Sequence, residues 1–348
     1  MILMAIANIA LASAVDAATL DKHIESAYFS ASSGYYKEEF AKNDKAFNWT
    51  LGILISAQNS LAKLDHANIA KLKQTLEKGD TYWNSKGPVA GFDVLPGPHD
   101  GKDRYYDDNA WMVMSLVESY EITKDKRWLT RAEQALDFVL SGEDEKLGGG
   151  IYWKENQKRS KNTCSNGPAA AACLAVYHHN LRKDLLQKAG ALYQWTKKNL
   201  RDPKDGIYYD SINLSRKVEK TKWTYNSALM LRSARELYKE TKIAEYGQDT
   251  EDLQAACIQR WVKEDGAIDD ELQFSHLLFE NLDPSKFDAT KSINKLKSLV
   301  QADGFFPKKW SSEDNKPLPK LIIQVSALRA LAIYEIWVKQ NQVKPTGS

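Results

Sequence analysis

The feature that most constrains this chain is a helix-opening motif that returns at a near-fixed interval. Phe47-Asn48-Trp49-Thr50, Tyr106-Asp107-Asp108-Asn109, Ser165-Asn166-Gly167-Pro168 and Thr224-Tyr225-Asn226-Ser227 each stand where an apolar, Ala/Leu-rich stretch begins. Asn48, Asp107, Asn166 and Tyr225 recur about every 59 residues, the kind of period that signals a repeat architecture. A more charged helical stretch follows each opener. Several of these end in a Gly-aromatic turn, as in Gly150-Ile151-Tyr152-Trp153 and Gly206-Ile207-Tyr208-Tyr209, and Asp265-Gly266-Ala267 and Asp303-Gly304-Phe305-Phe306 read as weaker copies. A helix apolar on every side belongs inside a fold, and one with a polar face belongs outside.

Apolar residues at i, i+3, i+4 and i+7 place helices over 17–30, 46–64, 66–83, 105–123, 126–141 and 164–181. The same pattern continues over 184–200, 223–240, 243–263, 270–281, 286–301 and 320–340. Clusters of Gly, Pro, Asp and Asn separate them, and no run of alternating β-branched residues implies a large sheet. The chain reads as all-α. Six apolar/amphipathic pairs suit a closed (α/α)6 barrel, or toroid, better than an open solenoid. It is expected to be a single domain over 19–342 with a flexible tail at 343–348. In such a ring the inner-helix starts share one face, so the polar and aromatic residues of the openers would surround a single cleft.

Charge narrows the partners. The 348 residues carry 48 basic and 46 acidic side chains, a net charge of +2, without the basic clustering of a nucleic-acid binder. Three cysteines in no CxxC pair and six histidines in no HExxH give no reason to expect a metal or cofactor, and leave disulfide pairing open. Residues Met1 to Val15 are uncharged and apolar, too short to span a bilayer, and run into small residues at Ala12-Ser13-Ala14 and Val15-Asp16-Ala17. They match a signal-peptide core without its basic start, so a leader is expected over 1–18 and the mature protein at the cell surface, in the periplasm or secreted. No other apolar run is expected to reach membrane length, and a soluble monomer is expected.

The chemistry concentrates in Asp107-Asp108. Acids at a helix start serve as caps and complement the helix dipole. Two adjacent carboxylates flanked by aromatic residues also fit glycoside hydrolysis, where one group donates a proton and the other attacks or acts as base. Like charges this close resist joint ionisation, which raises one pKa and supplies the acid. The residues themselves leave both readings open. Trp49 and Trp153 stand as sugar-stacking platforms or as core, since a flat apolar face with a polar edge suits either. Asn48, Asn109, Asn166 and Asn226 bond sugar hydroxyls or cap their helices, and Tyr225 opens its helix beside them. Trp111 reads as packing behind the site. His178-His179 reads as structural, and Asp269-Asp270-Glu271 as helix-start acids.

Three motifs together resemble glycoside hydrolase family 76, the endo-α-1,6-mannanases and related fungal cell-wall transglycosidases. They are Tyr106-Asp107-Asp108-Asn109-Ala110-Trp111, Gly148-Gly149-Gly150-Ile151-Tyr152-Trp153 and Ser165-Asn166-Gly167-Pro168-Ala169, and the resemblance runs from about residue 20 to 340. It implies an (α/α)6 barrel acting on α-mannan by a retaining mechanism without metal. It also implies Asp107 as nucleophile, Asp108 as acid/base, and Asn48, Trp49, Asn109, Trp153, Asn166, Tyr225 and Asn226 as substrate-binding candidates. A missing apolar C-terminal tail favours a hydrolase over an anchored transglycosidase. A non-catalytic mannan-binding protein remains a rival, and a sugar epimerase would need a histidine base where this pattern places none.

Overall fold

The computed structural model describes residues 15–99, 103–310 and 320–343, so most of the expected leader and tail lie outside the described residues. Among these residues there are twelve α-helices. They are α1 Ala17–Tyr28, α2 Asn48–Leu64, α3 Ile69–Gly79, α4 Tyr106–Thr123, α5 Lys126–Leu140 and α6 Thr163–Asn180. The remainder are α7 Lys183–Leu200, α8 Thr224–Thr241, α9 Ala244–Trp261, α10 Leu272–Asn281, α11 Ala289–Ser298 and α12 Leu321–Lys339. The fold is all-α, and each helix lies where the periodicity puts it. The expected 66–83 helix is shortened at both ends by 3-10 turns, His66–Asn68 and Asp80–Tyr82. The end of the expected 17–30 helix is instead a strand.

The strands are short. β1 Phe29–Ser30 pairs with β2 Tyr35–Tyr36, and β3 Trp83–Asn84 with β4 Gly91–Phe92. β5 Ser160–Asn162, β6 Ser211–Asn213 and β7 Val218–Glu219 form an antiparallel sheet in that order.

Burial divides the helices as their sequences demand. The core helices α2, α4, α6, α8, α10 and α12 bury residues on all sides. The cover helices bury one stripe, as Leu20, Ile24 and Tyr28 do in α1, and Trp128, Ala132, Ala135, Leu136 and Val139 in α5. Each buried large apolar side chain removes about 1.5–3 kcal/mol worth of surface from water, so the stripe docks each cover helix.

Two compact units result, residues 1–78 with 260–348, and residues 79–259. In the first, α12 packs on α1, α2, α10 and α11. Helix α12 corrects one expectation: it is long and apolar enough to cross a membrane, with mean hydropathy 1.6. It is a core helix, 78% of that stretch being buried, and its Arg329 is bonded to Glu280 and to the Ser56 carbonyl of α2. In the second unit α4 packs on α5 and α6, and α6 on α7 and α8.

Helix starts differ between the two kinds. Asp16, Asp125 and Asp288 cap the cover helices α1, α5 and α11 through their side chains. No core helix has a side-chain cap of its own. Instead the fourth residue of several core helices staples the turn that precedes it. Asn109 takes the Phe92 N–H and returns its amide to the Phe92 and Tyr105 carbonyls. Asn166 does the same with Ile151 and Asn162, and Gln324 with Phe306. Ser227 accepts from the Tyr208 N–H. At the other end α4, α6 and α8 stop at left-handed residues Lys124, Leu181 and Lys242, whose N–H groups bond Tyr120, Tyr177 and Tyr238.

This register corrects the interval read from sequence. Asn48 is the first residue of its helix, Asp107 and Tyr225 the second of theirs, and Asn166 the fourth. Connections of unequal length shift the helix starts, so equal spacing along the chain did not mean equivalent places in the repeat.

Candidate active site

Asp107 and Asp108 are the second and third residues of α4; the cap position is Tyr105, with extended backbone. Neither acid caps the helix. The start of α4 is pinned to the turn ahead of β5: the Tyr106 N–H bonds the Trp153 carbonyl, and the Glu155 N–H bonds the Arg104 carbonyl. The Arg104 guanidinium, almost fully buried, clamps the Glu155 carboxylate at 2.6 and 2.8 Å and holds the Val89 carbonyl. This pairing carries Trp153 to the acids. Its indole N–H donates to Oδ2 of Asp107 at 2.9 Å, and its ring meets Tyr105 edge-on at 5.1 Å.

The turn delivering Trp153 needs glycine at position 150. Its φ of +81° is left-handed, and a Cβ there would lie 2.6 Å from the Trp195 ring.

The two acids have unequal surroundings. Both remain partly exposed, so protein crowds the pair without sealing it from water. Desolvation is the largest influence on each and raises both. Asp107 is pushed up to about 7 and held there by groups that favour its charge: the Trp153 indole, backbone N–H groups at the helix start, and the Cys164 thiol. Asp108 is driven well above the usual carboxylate range, because after desolvation its leading influences are the charges of Asp107 and Asp103. Of the two, Asp108 keeps the proton and Asp107 ionises first.

Cys164 and Tyr225 lie near Asp107, and the Asp210 carboxylate lies near those two. Cys164, second residue of α6, is buried, and its thiol favours the charged form of Asp107. Tyr225, second residue of α8, feels the charges of Asp107 and Asp210, which together with burial raise its hydroxyl well above the usual range. Asp210 is fixed by its backbone to the first residue of α6, the Thr163 N–H donating to its carbonyl at 2.8 Å. Burial raises the Asp210 carboxyl, and Asn226 Nδ2 approaches its Oδ1 at 3.5 Å. All three cysteines are free thiols.

Thus Asp107, Asp108, Trp153 and Tyr225 come together in the second unit, whereas Asn226 is fully buried with its amide turned toward Asp210, which corrects the expectation that it faces substrate. Asn109 and Asn166 do not join them as sugar ligands. Both are fully buried with their amides spent on backbone, which corrects the expectation that they face substrate. Asn48 and Trp49 belong to the first unit. Asn48 is fully buried with no hydrogen-bond partner among the described residues, so it presents no surface to a sugar. Trp49 is partly exposed and stacks on Phe274 at 5.9 Å. Trp111 is buried packing, and His178 and His179 pair with Glu240 and Glu121. The acids of 269–271 are engaged locally, Asp269 with Lys263 and Glu271 with Lys308. Asp210 was missed, although it directly follows the Gly206-Ile207-Tyr208-Tyr209 turn, a copy of the turn that carries Trp153.

Fold and site together define an all-α protein with paired helices and a carboxylate pair at the start of a core helix. The family model of glycosyl hydrolase family 76 matches residues 14–290. The chain belongs to that family of glycoside hydrolases. Its fold is shared with a family 76 α-mannanase of Bacteroides thetaiotaomicron, 24% identical, at a TM-score of 0.85 over 93% of this chain and 96% of that one. It is shared as well with an α-1,6-mannanase of Salegentibacter sp. HEL1_6, 19% identical, at a TM-score of 0.77 over 92% of this chain and 98% of that one. That structure is an inactive variant with two consecutive aspartates replaced, in complex with α-1,6-mannotetrose. A curated relative, the meiotically up-regulated gene 191 protein of Schizosaccharomyces pombe, is 24% identical over 195 residues, or 51% of this chain. The chain spans 43% of that relative's length.

Proposed function

We propose that this protein is an exported, retaining endo-α-1,6-mannanase with Asp107 as nucleophile and Asp108 as acid/base. The unequal environment of the two carboxylates carries the reading: one is met by donors to its charged form, the other is held protonated by burial and by its neighbour's charge. In the first step an Asp107 oxygen attacks the anomeric carbon as the bond to the departing sugar breaks, and Asp108 gives its proton to the departing oxygen. This leaves a mannosyl ester on Asp107. In the second step the Asp108 carboxylate takes a proton from water, the water oxygen attacks the anomeric carbon, and the ester bond opens. Two inversions preserve the configuration.

Trp153 serves the charge on Asp107 through its indole N–H while its exposed ring is free to meet a sugar face. Tyr225 supplies a hydrogen-bonding group beside the same carboxylate, with Asp210 next to that tyrosine. The α-1,6-mannotetrose held by the Salegentibacter enzyme, inactive with two consecutive aspartates replaced, supports the substrate and the need for an aspartate pair. The test is hydrolysis of linear α-1,6-mannan. Asp107→Asn abolishes turnover of every substrate. Asp108→Asn loses mannan hydrolysis but retains the first step on an aryl mannoside whose leaving group needs no proton. Undiminished mannan hydrolysis by either variant removes that residue from the mechanism.

A further inference from the structure

The turn that carries Trp153 to Asp107 is built a second time, one core helix further on. The Ile151 N–H bonds the fourth residue of α6, Asn166, and two residues later the Trp153 carbonyl takes the N–H of Tyr106, first residue of α4. In the same way the Tyr208 N–H bonds Ser227, fourth residue of α8. Two residues later the Asp210 carbonyl takes the N–H of Thr163, first residue of α6. Asp210 therefore stands in its repeat where Trp153 stands in the one before. The Trp153 N–H bonds the Ser160 carbonyl of β5, β5 runs directly into α6, and β6, which follows Asp210, pairs with β5. One hydrogen-bonded strip thus carries both residues beside the starts of successive core helices.

We infer that Asp210 is a substrate-binding residue, a carboxylate that accepts hydrogen bonds from neighbouring hydroxyls of one mannose residue of the chain. The inference rests on the mannanase reading above. An α-1,6 linkage joins C1 to O6, which leaves O2, O3 and O4 free on each internal residue of a linear chain. A charged acceptor bonds such hydroxyls about twice as strongly as a neutral one. The Asp210 backbone is fixed on both sides, its N–H on the Glu219 carbonyl at 3.1 Å and its carbonyl on the Thr163 N–H at 2.8 Å. The acid is therefore held in place before a sugar arrives, which lowers the cost of binding.

The carboxylate is open to such a ligand. Asp210 is partly exposed, and its side chain meets the Asn226 amide at 3.5 Å and the adjoining Ser211, neither of them charged. No cation pairs with it among the described residues. The carboxylates of other turns in this unit are occupied: Asp202 by Lys222 at 2.6 Å, Asp144 by Lys161 at 2.7 Å and Glu155 by Arg104 at 2.6 Å. Partly enclosing an acid without a cation costs folding energy, which a ligand's donors offset.

The experiment measures kcat/KM on α-1,6-mannotetrose for the parent, Asp210→Asn and Asp210→Ala, with thermal melts of the sugar-free proteins alongside. Loss of the charged acceptor lowers kcat/KM on the order of 10- to 100-fold in Asp210→Ala. The loss is smaller in Asp210→Asn, which keeps one acceptor oxygen and melts at or above the parent. Equal kcat/KM in all three proteins would overturn the inference. So would a loss of activity that tracks a fall in melting temperature in both variants, the behaviour of a structural acid. Should Asp210→Ala not fold, the asparagine variant against the parent decides. A parent that leaves mannotetrose uncut contradicts the mannanase reading and this inference with it; an active parent matched by both variants contradicts the inference alone.

Discussion

Lys161→Met removes a cation that the fold encloses completely. The Lys161 side chain has 0% exposure, and Nζ donates to Asp144 Oδ1 and to the Lys146 and Gly149 carbonyls at 2.7 Å each, and to the Asp144 carbonyl at 3.0 Å. It also lies over the Tyr152 ring at 4.7 Å. Burial pulls its pKa down, opposed by the bond and charge of Asp144. Methionine fills the space but strands three carbonyls, each costing about 1–3 kcal/mol if it stays dry. Two effects offset this: an ammonium no longer has to be desolvated, and Asp144, a third exposed, regains water. The net loss is about 2–4 kcal/mol, read from the urea unfolding transition. The same turn delivers Trp153, so kcat/KM falls as well, although Lys161 never touches the acid pair. A loss below about 1 kcal/mol, or a gain, refutes the view that this lysine locks the turn.

Other outcomes follow from the same physics. Asp108 has a folded-state pKa above its unfolded value, so its stabilising contribution is complete below the unfolded pKa and is lost as pH rises toward the folded one. Asp108→Asn therefore gains stability over the parent between pH 5 and 7, at up to about 1.4 kcal/mol per pH unit, in paired thermal melts. A difference that is flat with pH contradicts the raised pKa. At the N-terminus, deletion through Ala14 keeps the Asp16 cap on Thr19 at 2.7 Å and the Ala17 N–H on Glu335 at 2.8 Å, whereas deletion through Ala17 removes both. The longer deletion costs at least about 1 kcal/mol in urea unfolding relative to the shorter. Equal stability would show that neither contact matters.

The helices were legible because their periodicity is local. Ala17 begins one and Leu200 ends another where the pattern places them, and the apolar-versus-striped contrast separated core from cover. The acid pair was legible because two carboxylates in one helical turn are conspicuous. What escaped notice depends on contacts made across connections. Nothing near Asn109 or Asn166 announces that each will spend its amide on a turn, Phe92 in one case and Ile151 in the other. The Trp153 indole bond to Asp107 links residues far apart in the chain. Asp210 reaches the site through Thr163, which no spacing rule connects to it.

The central claim is that Asp107 carries the sugar between two displacements, and the anomeric form of the first product tests it most directly. Proton NMR of α-1,6-mannotetrose hydrolysis, recorded before the released sugars mutarotate, should show new reducing ends in the α form. First-formed β ends would mean a single displacement by water, with Asp107 as base and no glycosyl ester at all.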